Sequence, residues 1–534
     1  MWEDQTRRVL SQSDTRPIYI ERGAERESCP NFTKQELDEA IKSLKANKAP
    51  GPDLITNEIW KDTYHILGDT WLKLMNKCLK EGDIPMEWRR ATLKMLYKGK
   101  GSTESPDCYR GVALEATALK ILTKMITNRI SPKIEDYLPD EQCGFRKKRS
   151  TLTAAEALIK EIQVELKRKG GKMYVVFVDY SKAFDATNRQ ILIRKLEMMI
   201  GNTRMLKLIS NIIAENYVQI SNGIDKSKWI SQTNGVLQGD PLSPLLFNVL
   251  THDGVEEMKM ASKDISIFMY ADDMAIASNN KEQLQKGFNA LVEWAERSEL
   301  KVNYQKTELV VFRKGGRPAR DDDIYCKGTP LKKAKTYRYL GITIQSTGTS
   351  YQKHVQEKTV AAIRAINDIK NLRLLSLETA IRLFNAKIEP MITYGIEIIW
   401  EHLTEKQLES IEGVKSRFLK RAMGLSKHTP SRLVYVMARE NFLIEEIGWK
   451  HLLPKTEEVK EVIRKMKKKQ EEIEEDFYTT EAVLNSSWKG VNQELRHVVT
   501  RMSAHGFHSR VCKNDKYHEP SSECVCVLCG KQCG

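Results

Sequence analysis

Ile265-Ser266-Ile267-Phe268-Met269-Tyr270-Ala271-Asp272-Asp273-Met274-Ala275-Ile276-Ala277 sets two adjacent carboxylates between two apolar runs. The pattern predicts a hairpin of two buried strands with Asp272 and Asp273 in its tight turn. Paired negative charge in such a place needs compensation, and a divalent cation with hard oxygen ligands supplies it. Magnesium is the expected occupant. Most Asp pairs are solvated turns or helix caps, so residues elsewhere have to decide.

A second apolar run, Met173 to Val178, meets Asp179 and places that carboxylate at the end of a buried strand. Taken alone, Asp179 reads as a strand-end cap. If the strands are sheet neighbours, three carboxylates converge on one edge. That is the outline of a two-metal site for nucleotidyl transfer, with ions about 3.5–4 Å apart. One ion would lower the pKa of an attacking 3′-hydroxyl, and the other would hold the triphosphate and the leaving pyrophosphate. Gly235-Val236-Leu237-Gln238-Gly239-Asp240-Pro241-Leu242-Ser243-Pro244 adds flexible glycines, an amide and a helix start. Such a loop-to-helix junction lets backbone approach a templating base pair, with Gly239 free to take angles closed to other residues and Pro241 opening a helix to about Met260.

These segments together resemble the reverse transcriptases, most closely those of LINE-type (non-LTR) retrotransposons. Asp179-Tyr180-Ser181-Lys182-Ala183-Phe184-Asp185 resembles motif A, Gln238-Gly239 motif B, and Tyr270-Ala271-Asp272-Asp273 motif C. Leu300-Lys301-Val302-Asn303-Tyr304-Gln305-Lys306-Thr307 is similar to motif D, and Tyr339-Leu340-Gly341-Ile342 to the primer grip. Upstream, Lys45–Asp53, Tyr109-Arg110-Gly111-Val112-Ala113-Leu114 and Gln142-Cys143-Gly144-Phe145-Arg146 are similar to LINE-type fingers segments, with Gly111 where the family usually has proline.

The resemblance covers about residues 30–440 and implies an α+β right-hand polymerase. It implies that Asp179, Asp272 and Asp273 bind two magnesium ions and that Lys98 and Arg110 grip the incoming triphosphate. Gln238 and Gly239 would line the nucleotide site. Phe184 would be the steric gate that occupies the space of a ribose 2′-hydroxyl, favouring dNTPs. Lys306 would protonate departing pyrophosphate as a general acid. The residues by themselves leave plainer alternatives: Lys98 and Lys306 as solvated lysines, Arg110 as an exposed structural arginine, Phe184 as a core ring.

Lys and Arg outnumber Asp and Glu by 86 to 71 in 534 residues, a net charge of +15 and a pI near 9.1. A polyanionic partner is expected, nucleic acid rather than membrane, since no apolar run approaches the roughly 20 residues of a spanning helix. Template RNA, a DNA primer or nicked target and dNTPs are the implied partners. Without a signal-peptide pattern at Met1-Trp2-Glu3-Asp4-Gln5, an intracellular location is expected, with the nucleus for integration and the cytoplasm for RNA–protein assembly.

The expected domains are a flexible segment at 1–29, fingers and N-terminal extension at 30–170, palm at 171–345 and helical thumb at 346–440. A helical extension at 441–500 and a Cys/His-rich tail at 501–534 complete the chain. Locally, the residues before Cys29 read as polar and aperiodic, Thr33-Lys34-Gln35-Glu36 as a capping box opening a helix to near Asn47, and helices follow through Trp60 and near 68–81. Tyr217–Ile220 with Lys228–Ser231 reads as a hairpin, Asn303 as a residue shaping a turn, and the chain from about 351 as almost wholly helical. Arg146-Lys147-Lys148-Arg149 reads as a template-phosphate contact or a nuclear-localisation patch. Lys465–Lys469 followed by Glu471–Asp476 reads as a solvated mixed-charge helix. In the tail, Cys524, Cys526, Cys529 and Cys533 are a candidate zinc set, with a truncated, unliganded knuckle as the alternative.

Two other functions compete. A viral-type RNA-dependent RNA polymerase shares the palm, though Phe184 and Gln238-Gly239-x3-Ser243-Pro244 argue against it. A retroelement remnant that binds RNA without polymerising is the other. The chain leaves no room upstream for an apurinic-type endonuclease, so nicking is expected from elsewhere or from a longer polypeptide.

Overall fold

The structure, a computed structural model, describes residues 2–11, 29–99, 101–221, 225–315 and 322–468. The candidate zinc cysteines and the run beyond Lys468 lie outside the described residues. The chain divides into two compact units, Met1–Lys335 and Thr336–Gly534.

Trp2–Leu10 is helix α1, although its sequence reads as polar and aperiodic. Tertiary contact accounts for it: Leu10 joins a small core with Ala91, Leu93, Ala113, Val218 and Ile230, and the Trp2 ring meets Tyr109 edge-on at 4.8 Å. Helix α2 (Lys34–Ser43) starts on the expected capping box, in which Thr33 and Glu36 satisfy each other's backbone N–H, but it ends before Asn47. Two expected helices, one through Trp60 and one at 68–81, are a single helix α3 (Asn57–Glu81). Gly68 does not break it, because the Tyr64 ring lies over that glycine and fills the space a side chain would take.

Strands β1 (Arg90–Tyr97) and β2 (Tyr109–Glu115) precede helices α4 (Thr117–Glu135) and α5 (Thr151–Lys167) and strand β3 (Lys172–Val178). A one-turn helix α6 (Ala183–Ala186), α7 (Arg189–Ile200) and α8 (Arg204–Ala214) lead to β4 (Asn216–Ser221) and β5 (Ile230–Gln232). The expected antiparallel pair β4–β5 is present, with Tyr217 opposite Ser231. It also pairs in parallel with β1, making a four-stranded sheet in the order β2-β1-β4-β5. That joint links segments more than a hundred residues apart.

The expected single helix from Pro241 to Met260 is two: α9 (Ser243–Thr251), with Pro244 rather than Pro241 in its first turn, and α10 (Gly254–Ala261). Asp253 marks the break, held by the Lys195 Nζ at 2.7 Å and the Trp294 Nε1 at 2.9 Å, with Gly254 directly against the indole. Strands β6 (Ser266–Tyr270) and β7 (Asp273–Ser278) form the expected Asp-Asp hairpin. Helix α11 (Lys281–Arg297), β8 (Glu308–Arg313), β9 (Tyr325–Cys326), β10 (Thr329–Pro330) and β11 (Lys332–Lys333) complete the first unit.

The central sheet has the order β11-β8-β3-β7-β6. In β3, every residue from Met173 to Val178 is buried, so the strand is covered on both faces, as its unbroken apolar run requires. Each such side chain is worth about 1.5–3 kcal/mol when fully buried. The depth of this strand fixes where Asp179 emerges.

In the second unit, β12 (Thr336–Tyr339) and β13 (Ile342–Gln345) form a hairpin around Leu340-Gly341, whose φ values are 45° and 85°. The Tyr394 hydroxyl donates to the Leu340 carbonyl at 2.8 Å and steadies the tip. The rest is helical, as expected: α12 (Gln352–Asp368), α13 (Leu377–Leu383), α14 (Glu389–Thr393), α15 (Ile396–Ile399), α16 (Glu405–Ala422), α17 (Ser431–Ala438), α18 (Leu443–Lys450) and a helix at 457–468. The Leu340-Gly341 hairpin groups with these helices in the second unit. Among the described residues no helix is long and apolar enough to cross a membrane.

Candidate active site

Asp179 follows the last residue of β3, where Val178 pairs with Met274, and Tyr270 closes its hairpin opposite Asp273. Asp179 and the Asp272-Asp273 turn therefore meet at one end of adjacent central strands. Motif D supports the same end. The Asp179 N–H donates to Thr307 Oγ1 at 3.2 Å, its carbonyl accepts from the Asn303 N–H at 2.7 Å, and Tyr180 bridges to Val302. Asn303 thus does more than shape a local turn.

The electrostatics record the convergence. Burial raises the Asp179 carboxyl above its ordinary range, Lys306 pulls it down and Asp272 pushes it up, with smaller downward pulls from Asn303 and Lys98. Asp273 keeps solvent-exposed surface at the mouth, yet the protein packed around its carboxyl, with Asp272 and then Asp179, pushes its pKa up to about 6; Arg110 opposes them. Among the described residues no three acidic, histidine or cysteine side chains are drawn together into a ready-made metal cage. What the site offers is excess negative charge on hard oxygen donors, which is the donor chemistry magnesium takes.

Arg110 lies on β2 of the four-stranded sheet and Lys98 just beyond the end of β1, both exposed. Lys98 follows β1 and its Nζ donates to the Asp107 carbonyl at 2.9 Å, while Arg110 pairs with Leu96 across the strands. Lys182, in left-handed backbone at φ 52°, reaches Asp107 at 3.3 Å. Lys306 is exposed and near enough to Asp179 to act on its charge. The motif B loop lies against β2: the Ala113 N–H donates to the Gln238 carbonyl at 2.8 Å. Gly239, at φ 125°, is so close that a Cβ would stand 2.9 Å from the Ala113 carbonyl oxygen. Gln238 Nε2 donates to Asp185 Oδ1 at 3.3 Å, and Phe184, half-buried, gives its carbonyl to the Val236 N–H at 2.9 Å. Asp179, Asp272, Asp273, Lys98, Arg110, Phe184, Gln238, Gly239 and Lys306 all belong to the first unit.

Residues 98–344, which include all of these positions, match the family described as reverse transcriptase (RNA-dependent DNA polymerase). The chain carries a reverse transcriptase domain. It is 27% identical over 417 residues to the RNA-directed DNA polymerase from mobile element jockey of Drosophila melanogaster, covering 73% of this chain and 44% of that protein. It is 28% identical over 409 residues to the probable RNA-directed DNA polymerase from transposon BS of the same fly, covering 72% and 44%. The Pol polyprotein of the type-1 retrotransposable element R2 of Popillia japonica is 23% identical over 430 residues, covering 77% and 58%. The match thus spans less than half the length of the jockey and BS proteins. A solved apo telomerase from Candida tropicalis overlaps 55% of this chain and 60% of its own at 15% identity and a TM-score of 0.35, too loose a match to add to the argument.

The reverse transcriptase domain also holds residues whose part in the site the sequence does not announce. Gln142, buried, accepts with Oε1 from the backbone N–H of both Gly144 (2.8 Å) and Ala271 (2.9 Å). Ala271 stands at φ 59° between Tyr270 and Asp272, so Gln142 props the Asp272-Asp273 turn in left-handed backbone. Gly144 is pressed against that turn; a Cβ there would lie 2.3 Å from the Ala271 nitrogen. Arg189, buried and with no carboxylate bonded to it among the described residues, donates to the carbonyls of Gln232 (2.7 Å), Gly235 (2.9 Å), Ala214 (3.3 Å) and Asn234 (3.4 Å). It gathers the strand that feeds motif B, and burial pushes its pKa down to about 9. Asp240 caps α9 by accepting from the Leu242 and Ser243 N–H groups, and burial lifts it to about 6. Glu115 beside it is raised by burial and then by the Asp240 charge. Of these residues only Glu115, between Leu114 and Ala116, carries the local signal of a polar residue set among apolar ones.

Proposed function

We propose that this chain is an RNA-directed DNA polymerase of a LINE-type retrotransposon, adding dNTPs to a primer 3′-hydroxyl along an RNA template. The observation that carries the reading is the meeting of Asp179 with the Asp272-Asp273 turn, where burial and the Asp272 charge raise Asp179 and Asp273 together. Asp179, Asp272 and Asp273 would hold two magnesium ions, which when bound supply activation of the attacking hydroxyl and neutralisation of the leaving charge. Lys98 and Arg110 hold the phosphates from the fingers side, one as a mobile ammonium and one as a rigid fork. Lys306 gives a proton to pyrophosphate. Phe184 fills the space of a 2′-hydroxyl, and Gln238-Gly239 packs backbone against the templating pair. The helices that follow the primer-grip hairpin, at 346–440, would be the thumb.

In the cell, the reading is target-primed synthesis on nicked nuclear DNA, after assembly with RNA in the cytoplasm. Poly(rA)/oligo(dT) extension tests the activity, with dNTPs and rNTPs offered separately to the wild type and to Asp272→Ala. Incorporation of dNTPs that falls about 10²-fold or more in the variant is expected, since removing a metal-holding carboxylate forfeits several kcal/mol of charge stabilisation. Equal activity in the two proteins, or incorporation of rNTPs alone, sinks the proposal.

A further inference from the structure

Three phenylalanines meet beside the nucleotide pocket, and so far only Phe184 has a role. Phe184 lies nearly face to face on Phe247 of α9, with centroids 4.6 Å apart and planes 15° from parallel. Phe145 meets Phe184 edge-on, at 6.2 Å and 87°, and its ring also lies 6.4 Å from Tyr270 in the catalytic hairpin. Phe247 is fully buried, whereas Phe145 leaves 51% of its surface open. Phe145 also stands in left-handed backbone, at φ 61°. A large apolar side chain, half exposed and in a conformation that L residues rarely adopt, serves folding poorly and calls for a functional account.

The loop that carries it is fixed. Gln142 ties it to the Ala271 turn, the Cys143 N–H donates to the Met269 carbonyl at 2.8 Å, and Asn248 Nδ2 donates to the Gly144 carbonyl at 2.9 Å. Asn248 is the neighbour of Phe247 on α9. One turn of that helix therefore sets both the ring beneath Phe184 and the anchor of the loop that brings Phe145 to its edge.

We infer that Phe145 is a positioning residue for sugar selection: its ring holds Phe184 edge-on against Phe247 and so keeps the gate over the space of a 2′-hydroxyl. The inference rests on the reading of Phe184 as the gate. A ring stacked on one face only can still swing about its side-chain torsions, and an edge-to-face partner opposes that swing by about three- to tenfold in population.

Phe145→Gly removes the ring while accepting φ 61° without strain, so loss of the side chain is not confounded by the backbone. In the full chain, kcat/KM for dUTP and for UTP on poly(rA)/oligo(dT) would be measured for the wild type, Phe145→Gly, Phe145→Tyr, Phe184→Val and Phe145→Gly with Phe184→Val. The two nucleotides differ only at the 2′ position. Expected is a three- to tenfold fall in the dUTP/UTP ratio for Phe145→Gly, a larger fall for Phe184→Val, no further fall in the double variant and a wild-type ratio in Phe145→Tyr. A wild-type ratio in Phe145→Gly overturns the inference while leaving the gate intact if Phe184→Val still falls. An added fall of the same factor in the double variant overturns it too, because Phe145 would then act without Phe184. An unchanged ratio in Phe184→Val removes the gate reading itself, and this inference with it.

Discussion

Gln142→Leu replaces the amide by an apolar group of similar length and tests how the Asp272-Asp273 turn is held. The Gln142 Oε1 accepts from two backbone N–H groups, those of Gly144 and Ala271, at 2.8 and 2.9 Å. Losing it leaves both donors unpaired in a buried place, at about 1–3 kcal/mol each, or about 2–6 kcal/mol together. Ala271 at φ 59° already lies about 1–2 kcal/mol above right-handed backbone. Without its prop the turn relaxes toward ordinary angles, and Asp272 and Asp273 move with it. A displacement of about 1 Å at a reacting centre costs about 10²-fold in rate. Turnover per folded molecule on poly(rA)/oligo(dT) is the assay, with a urea midpoint measured alongside. Ala271→Gly in the Gln142→Leu background should return part of the rate, because glycine accepts positive φ without a prop. Turnover of Gln142→Leu within twofold of the wild type would refute the reasoning, as would a loss confined to the urea midpoint.

Two further outcomes follow from the surroundings of motif B. Asp240 has a folded pKa of about 6 against an ordinary 3.8, so the folded chain holds its proton more tightly than the unfolded one. The resulting stability is fully present below about pH 4 and is lost as pH rises through 6, about 3 kcal/mol in all because the folded and unfolded values lie about two pH units apart. Asp240→Asn keeps an acceptor for the α9 cap and should raise the urea midpoint at pH 8 but hardly at pH 4.5; an equal effect at both would show that the carboxyl is not titrating there. Arg189→Lys keeps the charge and loses the fork that spans four carbonyls, so a loss of about 2–4 kcal/mol by urea unfolding is expected. A wild-type midpoint would mean that those carbonyls find other donors.

Sequence reading went furthest where periodicity and chemistry agreed. The run ending at Asp179 and the runs flanking Asp272-Asp273 were legible as buried strands because each is largely apolar and borders a carboxylate. The Thr33/Glu36 cap and the β4–β5 pairing were legible from local patterns too, a Thr-x-x-Glu box and two short strands either side of Asn222-Gly223. The failures have a common cause. Helix α1 is mostly polar and is held by packing Leu10 and Trp2 on the β2-β1-β4-β5 sheet. The break between α9 and α10 depends on Lys195 and Trp294, which no window around residue 253 contains.

The order and spacing of Asp179, Phe184, Gln238-Gly239, Asp272-Asp273 and Lys306 are properties of the sequence by itself, and with them the resemblance that named the chemistry. Only the tertiary structure decided that Gln142 would hold the Ala271 turn, that Arg189 would collect the carbonyls before motif B, and that Phe145 and Phe247 would close on Phe184 from two sides. The reason is physical. A carboxylate at a strand end advertises itself by its cost, whereas a glutamine, an arginine or a phenylalanine takes its meaning from the backbone groups and rings that other segments bring to it.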